Sequence, residues 1–202
     1  MRGVHNPELS PELEARKRAV EASLRAHAAQ SPHHRVGFVG RAYADYYRTY
    51  GETYHVLAQW ESVAVKGKAI PRRAALVEAI YLAELKNLIL TAGHDLASIA
   101  LPVRADVTHT GDRYVLMNGA ERSLRAGDMM MVDGDGIISG VLYGPDQKTC
   151  ITPETRDVLS AVYAPAGIGK HAVKEHLDDS QSNVLPVVPE AETELIATSS
   201  AD

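Results

Sequence analysis

Apolar and polar positions repeat with two different periods along this chain. After a first helix that begins at Ser10-Pro11-Glu12, helical spacing of apolar residues marks the segments 36–50, 52–65 and 71–90. From residue 99 onward, short apolar runs alternate with turn residues, which indicates strands. The pattern predicts an α/β protein of the α+β kind, with a mixed, mostly antiparallel sheet and helices packed on it.

The clearest strand signal is a hairpin in the second half of the chain. The apolar runs 129–132 and 137–143 flank Asp133-Gly134-Asp135-Gly136, and Asp-Gly pairs supply the backbone angles that a tight turn needs. Asn118-Gly119 predicts another such turn. The polar segment 144–157 follows the hairpin, and we expect the functional site there, because loops held by rigid strands often carry the chemistry.

The sequence predicts three parts in the chain. Residues 1–35 form a helical extension, residues 36–188 the main domain, and residues 189–202 an acidic tail that is predicted to be disordered. A helix is expected from Lys170 to about Ser180, and one more strand over 183–188. The first helix has a thin apolar stripe of Leu13, Val20 and Leu24, which covers another surface of the chain or joins two copies into a homodimer.

Composition and charge limit the partners. The chain has one cysteine and no long apolar run, so we expect a cytoplasmic protein with no disulfide, no secretory signal and no membrane span. The net charge of −5 disfavours tight, non-specific binding of nucleic acid. The nearest approach to a basic patch, and the place where tRNA would bind, is formed by Lys66, Lys68, Arg72 and Arg73.

Three blocks of the sequence, residues 63–99, 101–107 and 138–165, stand in an order and spacing that resemble a known family. They are similar to the editing module of the phenylalanyl-tRNA synthetase beta chain, in its free-standing form. The resemblance implies an α/β fold. It also implies hydrolysis of mischarged aminoacyl-tRNA in trans, since this module in the synthetase removes tyrosine wrongly attached to the phenylalanine tRNA.

The resemblance carries over only in part. The segment 93–96, the turn 140–144 and the turn 152–155 match family motifs, and Glu78 stands where the family has an aspartate. Three polar positions of the synthetase site are alanines here: Ala75, Ala92 and Ala161. The backbone frame of an amino-acid pocket is therefore expected, with a different specificity.

Ester hydrolysis on an aminoacyl-tRNA requires a positioned water and an oxyanion donor, but no protein nucleophile. We expect His94 and Glu78 to orient the water. The predicted substrate-binding residues are Tyr81, Gly140, Gly144, Thr149 and Thr152.

Structural alternatives stand beside each of these roles. His94 can bond the last carbonyls of a helix, Glu78 can pair with Arg73 or Lys86, and Thr152 can cap a turn. Gly140 and Gly144 can simply form a turn.

Other reactive residues are given structural interpretations. Cys150 is expected to be a buried, inert thiol, since no helix terminus is aimed at it. The adjacent His33 and His34 lack the further ligands that a metal site needs, so neither metal nor cofactor is expected.

Three functions remain open from the sequence. The first is hydrolysis of mischarged aminoacyl-tRNA in trans, with tRNA as the partner. The second is an enzyme or binding protein for a free amino acid or small derivative, using the same pocket without tRNA. The third is a non-catalytic amino-acid-binding or interaction module. In each case we expect a cavity between the helix 71–90 and the hairpin exit at Gly144, which brings an amino-acid-sized group beside His94.

Overall fold

The helices pack around one central, almost completely buried helix. A computed structural model describes residues 1–30 and 37–198, so the predicted His33–His34 pair and the last tail residues, 199–202, lie outside the described part. The described residues form five helices: α1 (Pro11–Gln30), α2 (Gly37–Thr49), α3 (His55–Ala64), α4 (Ala75–Asn87) and α5 (Lys170–Val184). The central one is α4, against which α1, α3 and α5 pack.

The strands form small antiparallel sheets beside these helices. They are β1 (Thr91–Asp95), β2 (Arg104–Val107), β3 (Arg113–Val115), β4 (Glu121–Ser123), β5 (Met129–Val132), β6 (Ile137–Gly140), β7 (Gly144–Pro145) and β8 (Val158–Val162). β1 pairs with β8, β3 with β4, and the remaining strands form a four-stranded sheet in the order β2-β5-β6-β7. Both predicted hairpins are present, and the predicted α+β class with a mostly antiparallel sheet is confirmed.

Several element boundaries differ from the prediction for reasons that lie far away in sequence. α4 begins at Ala75 rather than residue 71, because the N-terminal segment satisfies its first amides. The Ala75 N–H donates to Pro7 O at 2.9 Å, and the Leu76 N–H donates to Asn6 Oδ1 at 2.9 Å. The helix ends at Asn87, and the next residue, Leu88, caps it with a left-handed φ of 55°.

The stretch after α4 is a strand rather than the predicted end of a helix. Residues 91–95 form β1, and in the region predicted to contain strands from residue 99 onward, the first strand, β2, begins only at Arg104. The predicted strand over 183–188 is wrong, because α5 continues to Val184. There the Asn183 side chain donates to Ala79 O at 3.0 Å and fixes the last turn of α5 on α4.

α2 joins the helices to the sheets through buried tyrosines on one of its faces, Tyr43 and Tyr47. The hydroxyl groups of Tyr43 and Tyr47 each donate to a buried carbonyl at 2.6 Å, on Tyr163 and Val141 respectively. Because a buried phenol needs a partner, these bonds fix how the helix sits on the sheets. These tyrosines therefore serve the packing of α2 against the sheets.

Candidate functional site

His94, the predicted catalytic histidine, lies on β1 and is completely buried. In the pairing with β8, His94 stands opposite Leu159 and Gly93 stands opposite Ser160. Because successive side chains of a strand point to opposite faces, His94 and Gly93 face different sides of this two-stranded sheet. The His94 backbone also bridges to Cys150, which brings the polar loop after β7 against β1.

Five buried polar side chains form a continuous hydrogen-bonded chain, which we call the His94 network: Asp146, Thr149, His94, Ser139 and Tyr163. The His94 Nδ1 lies 2.7 Å from Thr149 Oγ1, and the Nε2 lies 3.2 Å from Ser139 Oγ. Thr149 Oγ1 also bonds Asp146 Oδ1, and Ser139 Oγ bonds the Tyr163 hydroxyl. Both ring nitrogens of His94 therefore have partners.

The proton positions in the His94 network follow from the Asp146 carboxylate, which stands at one end of it. A carboxylate only accepts hydrogen bonds, so the Thr149 hydroxyl donates to Asp146 and must accept from the His94 Nδ1–H. The His94 Nε2 then carries the lone pair and accepts from the Ser139 hydroxyl. Ser139 in turn accepts from Tyr163, so that every proton in the network points toward Asp146.

This order places a hydroxyl, a neutral imidazole and an orienting acceptor in line, as in hydrolases that activate a serine. Burial lowers the pKa of His94 to about 4, so the ring is neutral near pH 7. However, Ser139 and His94 are both completely buried. In this conformation neither reaches solvent, and the catalytic role of His94 stays a prediction.

Three predicted substrate-binding positions have structural partners. A Cβ atom at Gly140 would lie 3.1 Å from Asp128 Oδ2, so the glycine leaves room for a buried carboxylate. Gly144 has a φ of 79°, and its carbonyl accepts from the Tyr114 hydroxyl at 2.7 Å. Thr152 Oγ1 accepts from the backbone N–H two residues later, at 3.3 Å, which makes it a turn residue.

Glu78, the second predicted catalytic residue, forms a buried ion pair. Its Oε1 accepts from Lys17 Nζ at 3.0 Å and from the Arg73 backbone N–H at 2.6 Å. The sequence suggested the side chains of Arg73 and Lys86 as partners of Glu78, whereas the actual cation, Lys17, comes from α1. Among the described residues, no hydrogen bond joins Glu78 to the His94 network.

The predicted tRNA-binding residues lie exposed on the connection between α3 and α4: Lys66, Lys68, Arg72 and Arg73. The Arg72 guanidinium is 4.0 Å from a Glu14 carboxylate oxygen, a solvent-exposed pair of little energetic weight. Arg73 lies over the ring of Tyr81, with its guanidinium carbon 5.9 Å from the ring centroid. Tyr81 is itself buried, so it supports the basic connection from below.

An apolar cavity of about 240 Å³ lies between α4, β8, α5 and the C-terminal segment 193–197. Its apolar walls are formed chiefly by Leu76, Ile80, Leu177, Val184, Leu195 and Ile196. Polar groups stand among them on β8, α5 and the C-terminal segment: Ser160, Ser180, Gln181 and Thr193. Apolar walls with a few polar groups are typical of small-molecule sites.

The cavity lies on the Gly93 face of β1, away from the His94 network. Ile80 and Ser160 line it, and a Cβ atom at Gly93 would meet Ile80 Cδ1 at 2.8 Å and Ile151 Cδ1 at 2.7 Å. This cavity is therefore not the one expected between α4 and the hairpin exit beside His94, because it lies on the other side of β1.

None of the predicted site residues lines the cavity. The space beside the hairpin exit is taken by two tyrosines, since Tyr114 bonds Gly144 O and Tyr163 bonds Ser139. The sequence signals for β1 were too short to place a strand between the helix and the hairpin.

Several buried polar residues of the structure were not predicted from the sequence. Ser139 and Asp146 complete the His94 network, and a second buried histidine, His176, has its Nε2 2.5 Å from Thr91 Oγ1. Thr91 also donates its N–H to Glu84 Oε1 at 2.8 Å. The signal that was available for Ser139 is its place inside an otherwise apolar strand.

Three further features of the described part of the chain concern metal ligands, membrane spans and the cysteine. Residues 1–30 and 37–198 contain no cluster of three or more His, Cys, Asp or Glu side chains that could hold a metal ion. No helix within these residues combines the length and apolar character of a membrane span. Burial raises the pKa of the Cys150 thiol, which disfavours the reactive thiolate.

Fold and site together define an α+β protein with an apolar cavity on one side of a strand and a buried hydroxyl–histidine network on the other. No family model and no curated protein matches the sequence. Among solved structures, an N-terminal fragment of the phenylalanyl-tRNA synthetase beta subunit from Pyrococcus horikoshii is similar, with a TM-score of 0.49 and 14% identity. The match covers 57% of this chain and 41% of the fragment. The similarity is weak and concerns part of the fold.

Proposed function

We propose that this chain is a binding protein for a free, amino-acid-sized ligand with an apolar side chain, which it holds in the cavity between α4, β8 and α5. The observation that carries the proposal is the cavity of about 240 Å³ with apolar walls. Burial of an apolar side chain there supplies the affinity. This interpretation takes up the second and third functions that the sequence left open, with the site on the Gly93 face of β1.

The polar groups of the cavity suit the backbone end of an amino acid. Ser180 Oγ donates to the His176 carbonyl at 3.0 Å and keeps its lone pairs for a ligand ammonium group. The Gln181 amide donates to Thr193 Oγ1 at 2.7 Å, which leaves its second N–H for a carboxylate. Ser160 adds one more hydroxyl on the opposite wall.

Hydrolysis of mischarged aminoacyl-tRNA in trans is the second candidate, and one observation favours it. The exposed basic connection ends at Arg73, three residues before Leu76, which lines the cavity. A tRNA backbone held by Lys66, Lys68, Arg72 and Arg73 would thus lie within one helical turn of a cavity wall along the chain. His94 and Glu78 are buried, so this activity would rely on a water positioned by other groups.

Calorimetry and thermal shifts with single free amino acids test the first candidate. We expect leucine, isoleucine, valine and methionine to raise the melting temperature, and aspartate and lysine to leave it unchanged. Leu177→Trp fills the cavity and should abolish the shift. Leu101→Trp, the same substitution at a site that is 76% exposed, should preserve it.

Deacylation of a panel of mischarged tRNAs tests the second candidate with the same protein. Release of amino acid that is lost in Leu177→Trp, and also lost in the double variant Arg72→Glu with Arg73→Glu, would establish it. No ligand-induced shift and no deacylation from a well-folded protein would overturn both candidates.

A further inference from the structure

The outer edge of β2 is open. β2 is the edge strand of the four-stranded sheet, and all four of its residues are exposed. Within residues 1–30 and 37–198, no other segment pairs with this edge. An edge strand of this kind presents unpaired N–H and C=O groups to which a further strand can bond.

The ladder with β5 decides which backbone groups point outward. The Thr108 N–H donates to Asp128 O at 2.8 Å, one residue beyond the end of β2. Because bonds to one neighbour occur at every second residue of an antiparallel pair, Asp106 and Arg104 also bond inward, to β5. Ala105, between them, directs its N–H and C=O to the open edge.

Val107 shows the same outward direction independently. Its N–H donates to Asp106 Oδ1 at 2.9 Å rather than to β5. Its partner on β5, Met129, gives its carbonyl to the Val141 N–H at 3.0 Å, on the β6 side. The Asp106 carboxylate therefore occupies an edge position that a neighbouring strand would otherwise use.

The residues of this edge are complementary to themselves. The segment Val103-Arg104-Ala105-Asp106-Val107 has a small residue at its centre, opposite charges on either side and valine at both ends. When two copies run antiparallel with Ala105 facing Ala105, each Arg104 faces the Asp106 of the other copy, and each Val103 faces Val107. A two-fold axis repeats both contacts.

We propose that this chain forms a two-fold dimer in which β2 pairs with β2 of a second copy, centred on Ala105. The two four-stranded sheets then join into one continuous sheet. The Ala105 residues exchange their outward N–H and C=O groups across the axis. Arg104 and Asp106 occupy the non-hydrogen-bonded positions, where facing side chains approach most closely.

Pairing also releases the group that covers the edge. The Val107 N–H bonds the Val103 carbonyl of the second copy, and the Asp106 carboxylate moves from that N–H to Arg104 of the second copy. Among the described residues, no salt bridge or side-chain hydrogen bond occupies Arg104 in the single chain. This dimer does not depend on the proposed ligand or on tRNA.

The dimer differs from the one expected through the N-terminal helix. Leu13 and Leu24 of α1 are buried within the single chain, where α1 packs on α3 and α4. The apolar stripe that suggested the helical dimer is thus occupied in part by the chain itself. The two surfaces are separable by experiment, because their residues do not overlap.

Charge reversal in the full chain tests the β2 dimer by analytical ultracentrifugation over a wide concentration range. Arg104→Asp places two aspartates face to face, and Asp106→Arg places two arginines face to face. We expect each variant to weaken the dimer by about tenfold or more. Arg113→Asp, at an exposed arginine of β3, is the matched control and should leave dimerisation unchanged.

Mixing the two variants provides a rescue. A heterodimer of Arg104→Asp with Asp106→Arg restores both ion pairs, so the mixture should dimerise as tightly as the natural chain. Ala105→Pro removes only an outward N–H, so it should abolish the dimer while circular dichroism and the melting temperature stay unchanged. A monomer at every concentration, an unweakened dimer in the single variants, or a mixture that fails to associate would each overturn the proposal.

Discussion

At the scale of single residues, the His94 network is a stabilising element as the structure stands. Five buried side chains bond one another between β1 and β6. The Thr149 and Ser139 hydroxyls each donate one hydrogen bond and accept one, and the Tyr163 hydroxyl donates one. Removing one member leaves its neighbours buried without partners. Substitution of a residue in this buried network is therefore expected to lower the stability of the protein, whether or not it lowers an activity.

Replacement of His94 by alanine tests this interpretation. We expect the free energy of unfolding to fall by about 2–4 kcal/mol, because Thr149 and Ser139 lose a partner and a void is left. Urea denaturation measures the change. His171→Ala, at a side chain that is 85% exposed, should be neutral. An equally stable His94→Ala protein that had lost a measured activity would instead support the catalytic role.

Glu84 makes the stability of the protein depend on pH. Burial raises its pKa to about 8, from 4.5 in the unfolded chain. The folded protein keeps a proton that the unfolded chain releases, so the stabilisation is complete below pH 4.5 and is lost as the pH rises through about 8.

Comparison with Glu84→Gln isolates this effect. The free energy of unfolding of the natural chain, minus that of the variant, should fall by roughly 1 kcal/mol per pH unit between about pH 5 and about pH 8. Glu175→Gln on the surface of α5 should show no such trend. A difference that does not change with pH would show that Glu84 is ionised in the folded protein.

Residue types alone could identify His94 as unusual but could not identify its partners. Thr149 and Cys150 were visible as a polar loop, and the loop does reach His94. Ser139 lies within the predicted strand 137–143 and Tyr163 is 24 positions further on, so their contact depends on how β6 and the end of β8 are arranged in space. Hydrogen bonds between residues 45 positions apart leave no local pattern in a sequence.

At the scale of elements, a buried ion pair joins α1 to α4. Lys17 and Glu78 are both almost completely buried, and their charged atoms lie 3.0 Å apart. Glu78 without Lys17 would be a buried charge with no cation beside it, whereas Lys17 without Glu78 keeps a second carboxylate, Glu14 Oε1, at 2.9 Å. The N-terminal helix is therefore part of the core as well as a cover for it.

A double-mutant cycle measures the coupling energy between Lys17 and Glu78. We expect Lys17→Met alone to lower the free energy of unfolding by about 3–5 kcal/mol, and Glu78→Met to lower it by less, because Lys17 keeps its pair with Glu14. The double variant should recover most of the loss caused by Lys17→Met. Lys174→Met breaks an exposed pair within α5 and should change stability by about 0.5 kcal/mol or less. Additive effects of the two single variants would contradict a coupled pair.

Elements with strong local signals were predicted well. The Asp133–Gly136 and Asn118–Gly119 turns are hairpins because their backbone angles depend on the turn residues themselves. The start of α4 depends instead on Asn6 and Pro7, which accept its first amides from far away in sequence. No reading of residues 71–90 could have included that contact.

At the scale of the whole molecule, the two ends of the described chain meet beside the cavity. Arg2 and Glu192 exchange backbone hydrogen bonds at 2.8 and 3.0 Å, and the Arg2 guanidinium bonds Glu194 and Asp157. These contacts hold the C-terminal segment across the cavity between α4 and α5. The position of the cavity was not predictable, because its walls come from parts of the sequence more than a hundred residues apart.

Arg2→Ala should loosen this closure. We expect faster hydrogen exchange at Glu192 and Thr193, and faster entry of any cavity ligand, with little change in the melting temperature because the Arg2 ion pairs are exposed. Arg156→Ala, at an exposed arginine one residue before Asp157, serves as the control. Unchanged exchange in Arg2→Ala would mean that the segment is held by its apolar contacts instead.

The single strand β1 is also a partition. On the cavity side, Gly93 leaves room for the side chains of Ile80 and Ile151, and on the other side the next residue, His94, is hydrogen-bonded through both ring nitrogens. The reactive groups of a hydrolase are therefore already present in this scaffold. Conversion into a hydrolase would require an opening beside β1 through which water and an ester could reach His94.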